Sequence, residues 1–142
     1  MKQNEPPSPR QAWISWAIAV SFVILVFGFQ TGYAVTNSKM AASLGLSATH
    51  IGLIGATYTF FFALFQIFSG SVLERLGIRT VLPVACALLT LGIFSFAFST
   101  TVGGFVAAQI LVALGASFGF IGAGFTGKLR FSKEKYGTMF AW

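Results

Sequence analysis

The sequence carries very little charge, and almost none of it is negative. It contains no aspartate, and Glu5, Glu74 and Glu134 are its only acidic residues. Charged residues make up 8% of the chain, whereas soluble domains carry about 25%. A soluble chain with so few charged groups could not cover its surface with polar side chains. The composition therefore excludes an ordinary soluble domain and indicates that lipid is the main solvent.

Cysteine and the residue sets of catalytic sites are also scarce. Cys86 is the only cysteine and lies inside an apolar run, so no internal disulfide can form. The sequence offers no metal-ligand spacing and no set of nucleophile, base and acid. The nine basic residues are spread between apolar runs instead of forming one patch, which argues against a nucleic-acid partner. We therefore expect no enzymatic activity, no metal and no cofactor.

What the sequence does contain is four long apolar runs that lack Asp, Glu, Lys and Arg. They cover residues 12–36, 49–73, 81–99 and 104–127, and about 20 residues suffice to cross the hydrocarbon core of a bilayer. Because backbone groups in lipid must be satisfied within the segment, we predict an all-α membrane protein with four transmembrane helices. The polar residues 1–11 are predicted to form a disordered cytoplasmic tail. A fifth helix is predicted to start near residue 137.

The connectors between the runs are short, as in a packed helical bundle. Ser47 is placed to cap the second helix, and residues 74–80 are predicted to join the second helix to the third. Pro83 is expected in the first turn of the third helix, where its missing N–H costs nothing. A secretory signal peptide is the rival interpretation of the first run. That run is longer than the roughly 7–15 apolar residues of such a peptide, and no cleavage motif follows it.

The distribution of basic residues over the connectors predicts the orientation in the membrane. If the N-terminus is cytoplasmic, the same side carries eight of the nine basic residues: Lys2, Arg10, Arg75, Arg79, Lys128, Arg130, Lys133 and Lys135. Only Lys39 falls on the opposite side. Because cytoplasmic loops are enriched in Lys and Arg, we predict a multi-pass protein of the plasma or inner membrane with its N-terminus in the cytoplasm.

Small residues recur along two of the runs at helical spacing. In the second run they alternate with two polar residues on one stripe: Gly52, Ala56, Thr59, Ala63, Gln66 and Gly70. In the fourth run they recur every four residues: Gly115, Gly119, Ala123 and Gly127. Small residues let helices approach closely in a bilayer, so both stripes are predicted to be packing surfaces, flanked in the second run by lipid-facing phenylalanines. The alternative for the second run is that Thr59 and Gln66 line a transport pathway.

The loop after the second run carries a recognisable motif, Gly70-Ser71-Val72-Leu73-Glu74-Arg75-Leu76-Gly77-Ile78-Arg79. It resembles the G-x-x-x-D-R-x-G-R-[R/K] signature that the major facilitator superfamily of transporters has in the same loop. Four positions match: Gly70, Arg75, Gly77 and Arg79. Glu74 stands in for the aspartate, and Ile78 departs from an arginine. Glu74 with Arg75 and Arg79 could form an ion-pair cluster at the membrane surface.

A second stretch, from Gln109 through Gly115 to Ser117, resembles the family's R-x-x-x-G-x-G-x-[G/A] pattern in the fourth helix. Gln109 falls where many members carry an arginine, and a neutral amide cannot supply that charge. This departure argues against proton antiport of the kind linked to that arginine and against strong anion binding there. Residues 118–122 and the segment from Phe131 to Gly137 resemble the organic-anion and sugar-phosphate branch, although that branch has an arginine in the first helix and this chain has none.

The resemblance implies a partial N-terminal six-helix bundle over residues 12–142, from a fold of twelve helices that moves a small solute by alternating access. In the family, the loop motif is thought to latch this bundle to the C-terminal bundle, which implies such a role for Gly70, Glu74, Arg75, Gly77 and Arg79. The family's first and fourth helices line the central cavity. The resemblance thus implies solute contacts at the polar residues of those helices: Gln30, Tyr33 and Gln109. The expected partners are the lipid bilayer, the solute and the missing C-terminal bundle.

Other interpretations stay open at this point. Gln30 and Tyr33 could instead form hydrogen bonds between helices or lie at the outer membrane interface. The chain could be a truncated remnant or a scaffold that transports nothing. A dimeric four-helix transporter of the small multidrug type also fits the length, but it requires a carboxylate in the first helix, which this sequence lacks.

Overall fold

A computed structural model describes residues 9–130, with side chains for residues 10–127. This part of the chain is all-helical and consists of α1 (Pro9–Leu44), α2 (Ala48–Leu76), α3 (Ile78–Phe98) and α4 (Val102–Arg130). Each helix is long and apolar enough to cross a membrane, which confirms the predicted fold class. Residues 1–8 of the predicted tail and the predicted fifth helix lie outside the described residues.

The first helix is longer than its apolar run. The sequence predicted its end at Thr36, but α1 continues to Leu44 and ends where Gly45 adopts a φ of 64°. The polar segment from Asn37 to Lys39 does not break the helix, because it contains neither proline nor glycine. The helix also begins three residues before the predicted boundary, at Pro9. Its 36 residues span about 54 Å at 1.5 Å each.

A tight turn, in place of the predicted seven-residue connector 74–80, joins α2 to α3. α2 runs to Leu76 and α3 starts at Ile78, so Gly77 alone separates them. Gly77 adopts φ 76° and ψ 151°, a conformation that is essentially restricted to glycine. Its N–H donates to the Leu73 carbonyl at 3.0 Å and closes the end of α2. Because α3 begins early, Pro83 lies in its second turn and not in the first.

The start of α2 agrees with the sequence interpretation. Ser47 is the N-cap, and its Oγ accepts a hydrogen bond from the backbone N–H of His50 at 3.3 Å. The Ser47 N–H in turn donates to His50 Nδ1 at 3.4 Å. These two hydrogen bonds satisfy the backbone N–H groups of Ser47 and His50, which have no partner within the first turn of the helix.

The centre of the bundle is α4, which packs against all three other helices. Its contact with α3 is close enough to require glycine: a Cβ on Gly115 would lie 2.6 Å from the Ala85 carbonyl oxygen. A Cβ on Gly92 of α3 would lie 2.7 Å from the Val112 nitrogen. Gly119 and Gly122 are also buried. The backbones of α3 and α4 therefore meet almost directly, as small residues in membrane helices allow.

The buried face of α2 differs from the stripe that the sequence predicted. The side chains that pack inward are those of Ile54, Thr57, Ser69 and Leu73, and Ser69 Oγ donates to Ser117 Oγ of α4 at 3.1 Å. In contrast, the predicted packing residues Gly52, Ala56 and Ala63 are exposed. At 3.6 residues per turn, the stripe lies about a third of a turn from the buried face. Within the described residues, nothing packs on that stripe at Gly52.

Candidate functional site: a cavity between three helices

A cavity of about 240 Å³ lies between α1, α2 and α4, near the middle of the helices. Its walls are almost entirely apolar or aromatic, and they are formed by Val23, Val26, Phe27 and Gln30 of α1, Tyr58, Thr59 and Phe62 of α2, and Ala116 and Phe120 of α4. None of these lining residues is an acidic residue, a basic residue or a histidine. The site can therefore hold an apolar molecule and offers it few hydrogen-bonding groups.

The cavity exists because α1 and α2 both pack on α4 but make few contacts with each other. Below the gap, α4 presents the small buried side chain of Ala116. On the α2 wall, the rings of Tyr58 and Phe62 are stacked with centroids 5.4 Å apart. These two residues are four positions apart and thus lie on the same face of α2. The result is a groove with an aromatic wall on α2 and with Ala116 and Phe120 of α4 at its base.

Gln30 and Gln109, which the sequence singled out separately, lie together at one end of this cavity. Gln30 Nε2 donates a hydrogen bond to Gln109 Oε1 across the α1–α4 interface, at 3.4 Å. Gln30 is part of the cavity wall, whereas Gln109 is completely buried. The Nε2 of Gln109 has no hydrogen-bond partner among the described residues. A buried amide donor without a partner is costly, typically by about 1–3 kcal/mol, so this group is a candidate for binding a ligand or a water molecule.

Tyr33, the third predicted contact residue, is not among the residues that line the cavity. It lies one helical turn beyond Gln30, and its hydroxyl donates to the Ile51 carbonyl of α2 at 2.7 Å. Its ring packs against Gly55, where a Cβ would be only 3.2 Å from the ring. Tyr33 therefore ties α1 to α2 near the loop that joins them. Together with the Gln30–Gln109 bond, it narrows that end of the gap.

The five residues of the loop motif lie at the opposite end of α2. Glu74 and Arg75 are exposed in its last turn, and Arg79 is exposed in the first turn of α3. Gly77 forms the turn between the helices, and Gly70 is half-buried with open space where a Cβ would be. The ion-pair cluster that the sequence allowed is not formed: no ion pair joins Glu74 to either arginine in the described part of the chain.

Sequence reasoning missed most of the aromatic wall. It treated the phenylalanines of the second run, Phe62 among them, as mainly lipid-facing. A usable signal was present on α1, where Val23, Val26 and Phe27 precede Gln30 by seven, four and three positions and so share its face. On α2, Tyr58 carries a polar hydroxyl within an apolar span, which also indicated a position facing the cavity. The predicted packing residues of α4, Gly115 and Gly119, are both buried. Gly115 contacts α3, and Gly119 contacts the Phe22 ring.

Three apolar helices packed on the glycine-rich α4, with a mid-span cavity between α1, α2 and α4, define a multi-pass membrane protein. Comparison with protein families narrows this class. The family model described as Major Facilitator Superfamily matches residues 16–142. The chain belongs to this superfamily of transporters, as the loop motif predicted.

Several relatives found by sequence comparison carry the name "Putative multidrug resistance protein MdtD". The protein of Cronobacter sakazakii is 30% identical over 105 residues, which cover 74% of this chain and 22% of the relative. The protein of Citrobacter koseri is 30% identical over 115 residues, covering 79% and 23%. That of Salmonella paratyphi B is 29% identical over 108 residues, covering 74% and 22%. The chain thus spans less than a quarter of these relatives' length. No solved structure gives a significant match.

Proposed function

We propose that this chain forms the first part of a secondary transporter that moves a small solute across the membrane by alternating access. The observation that carries the proposal is the partly open cavity between α1, α2 and α4 of a superfamily member, with the Gln30–Gln109 and Tyr33–Ile51 hydrogen bonds joining the helices at one end. A site near mid-membrane with one constricted end is what a carrier requires in one of its two states. The relatives' name supports drug molecules as the solute, and the aromatic side chains of the cavity wall favour aromatic ones.

The proposal includes a second bundle of helices contributed from outside residues 1–142. The exposed stripe at Gly52, Ala56 and Ala63 would pack against that bundle, since small residues support close helix contacts in lipid. Glu74, Arg75 and Arg79, which form no ion pair with one another here, would provide the latch. A contact formed in one state and broken in the other biases the equilibrium between them.

Transport is tested with the chain produced within its complete reading frame, in bacterial cells that lack their own drug efflux pumps. Accumulation of a fluorescent aromatic dye should fall when the protein is present. Val23→Trp, which fills the cavity, should abolish the effect, because the indole would take up much of the available space. Val35→Trp is the matched control, since Val35 lies on the same helix and is 72% exposed. Equal transport by both variants, or none by the parent protein, would contradict the proposal; the latter would favour a non-transporting scaffold.

The latch is tested by the accessibility of the cavity. A cysteine introduced at Thr59, in a background where Cys86 is replaced by alanine, reports how often the cavity is open to a water-soluble maleimide. Glu74→Ala should change the labelling rate, because removing the acidic group shifts the balance between the two states. Lys39→Ala, at the other end of the bundle, should leave it unchanged. An unchanged labelling rate in Glu74→Ala would mean that the motif contributes only to the orientation of the protein in the membrane.

We also propose that the N-terminus is cytoplasmic and that the protein resides in the plasma or inner membrane, as the basic residues indicate. Trp13 and Trp16, which pack edge to face at the start of α1 with centroids 5.7 Å apart, fit a position at the membrane interface. In the Cys86→Ala background, an impermeant maleimide should label Ser43→Cys in intact cells and Arg75→Cys only after permeabilisation. The reverse pattern would invert the assigned orientation.

A further inference from the structure

The end of the cavity has more hydrogen-bond donors than partners for them. A carboxamide has two N–H donors, and both of those on Gln109 are unpartnered although the side chain is completely buried. Gln30 uses its Nε2 to reach Gln109 Oε1 and has a second N–H on the same nitrogen, at the cavity wall. What this pair of side chains lacks is an acceptor.

Among the described residues that line the cavity, none carries a charge that would balance a charged ligand. Along the helices, Lys39 lies nine residues beyond Gln30 on α1, about 14 Å away, and Glu74 lies twelve residues beyond Phe62 on α2, about 18 Å away. A buried charge without a counter-charge is strongly disfavoured. An organic cation could be attracted to the aromatic rings, but the unpartnered groups are donors, whose positive hydrogen atoms would repel it. An anion would gain only neutral amide donors in return for losing its hydration.

We propose that the carboxamide of Gln30, held in place by Gln109, binds the hydrogen-bond acceptor of an uncharged aromatic solute, whose ring system lies in the cavity of α1, α2 and α4. The inference rests on the proposed function and specifies its solute class. An acceptor atom at this end takes the second N–H of Gln30 at the cavity wall, and Gln109, which lies behind the wall, positions that amide by accepting its first N–H. The ring system then lies along the side chains of Tyr58 and Phe62, which form the α2 wall.

The size of the cavity agrees with this solute. Its volume of about 240 Å³ exceeds the roughly 150 Å³ of an engineered apolar cavity that accommodates benzene. A fused two-ring system with one short substituent therefore fits within the part of the cavity that these helices enclose. The substituent next to the glutamines decides the affinity, since the remaining walls contact any such ring alike.

The test compares four naphthalenes that differ only in this substituent. 2-Acetylnaphthalene supplies a carbonyl acceptor, 2-isopropenylnaphthalene has the same shape without it, and the 2-carboxylate and 2-trimethylammonium derivatives add charge. Binding is measured by equilibrium dialysis against the 142-residue chain in lipid nanodiscs, with empty nanodiscs subtracted. We expect the acetyl compound to bind about tenfold more tightly than the isopropenyl compound, the difference of one well-made neutral hydrogen bond, and more tightly than either charged compound.

Variants separate the inference from the proposed function. Gln109→Leu should remove the preference for the acetyl compound while leaving isopropenyl binding intact. Gln66→Leu is the matched control, because this half-buried glutamine of α2 is not among the residues lining the cavity. Far-UV circular dichroism verifies that each variant is helical. Equal binding of the two neutral compounds, or tighter binding of a charged one, would overturn the inference and leave a solute-binding cavity. Binding of none of the four would overturn both.

Discussion

The contact between α3 and α4 gives the most quantitative prediction, the effect of adding one methyl group at Gly115. In Gly115→Ala, the new Cβ would lie 2.6 Å from the Ala85 carbonyl oxygen and from the Leu89 nitrogen. Both are backbone atoms of α3, so no side-chain rotation can relieve the clash. Ordinary contact begins near 3.4 Å, and α3 must therefore move away by about 0.8 Å, the difference between the two distances.

The cost of this movement follows from the packing it disturbs. A gap of about 0.5–1 Å removes a quarter to a half of the dispersion energy of each contact it opens, and overpacking a core costs about 1–3 kcal/mol. Alanine also favours the helix over glycine by roughly 0.5–1 kcal/mol. We expect a net loss of about 1–2 kcal/mol in the free energy of unfolding. Gly92→Ala should behave similarly, because its Cβ would meet the Val112 nitrogen at 2.7 Å.

Reversible unfolding in mixed detergent micelles, with increasing dodecyl sulfate and circular dichroism as the signal, measures this free energy. Gly28→Ala is the matched control, since nothing lies within 4 Å of a Cβ at that position of α1. The control should be neutral or slightly stabilised, so the two variants should differ by about 1–3 kcal/mol. A difference below about 0.5 kcal/mol, the usual scatter of such comparisons, would refute the direct backbone contact.

Three further predictions concern the turn and the polar contacts between helices. Gly77→Ala should destabilise the protein by about 1–3 kcal/mol, because φ 76° with ψ 151° is strained for any residue with a Cβ; an unaffected variant would contradict this turn geometry. A double-mutant cycle of Ser69→Ala and Ser117→Ala should give a coupling of about 0.6 kcal/mol, typical of hydrogen bonds between membrane helices, and additive effects would argue against the bond. Tyr33→Phe should cost about 1 kcal/mol through loss of its hydroxyl contact with α2, whereas Tyr58→Phe should not; the same unfolding assay measures both.

The existence and type of the four helices could be predicted because lipid leaves an apolar segment few alternatives to a helix. The residues at which these helices end could not be predicted in the same way. The residues from Asn37 to Lys39 are polar enough to leave the bilayer, yet polarity alone does not end a helix, and α1 continues to the glycine at position 45. Similarly, the charged residues after Leu73 were taken as a loop, although they continue α2 up to Gly77.

The site was only partly accessible to sequence reasoning. Gln30 and Gln109 stand out because amides are rare and costly in lipid-facing positions. That they hydrogen-bond to each other, and that Tyr33 instead bonds to α2, depends on how each helix is rotated about its axis. For α1 and α3 this rotation brings Phe22, Ala85 and Leu89 against the glycines of α4, and for α2 it brings Ser69 to Ser117. The second run shows the difficulty: its small-residue stripe predicted one packing face, but α4 packs on the neighbouring face that carries Ser69 and Leu73.

The connection between α2 and α3 is a single glycine, so the hairpin has no additional loop residues. Because α3 begins directly after Gly77, a residue inserted into its first turn would rotate all later residues of α3 by about 100° and shift them by about 1.5 Å relative to that turn. That rotation would carry Gly92 away from α4 and bring a bulky neighbour into its place. The length of this connection is therefore under the same steric constraint as the core itself, and natural variants should tolerate substitutions around the turn far better than insertions or deletions within it.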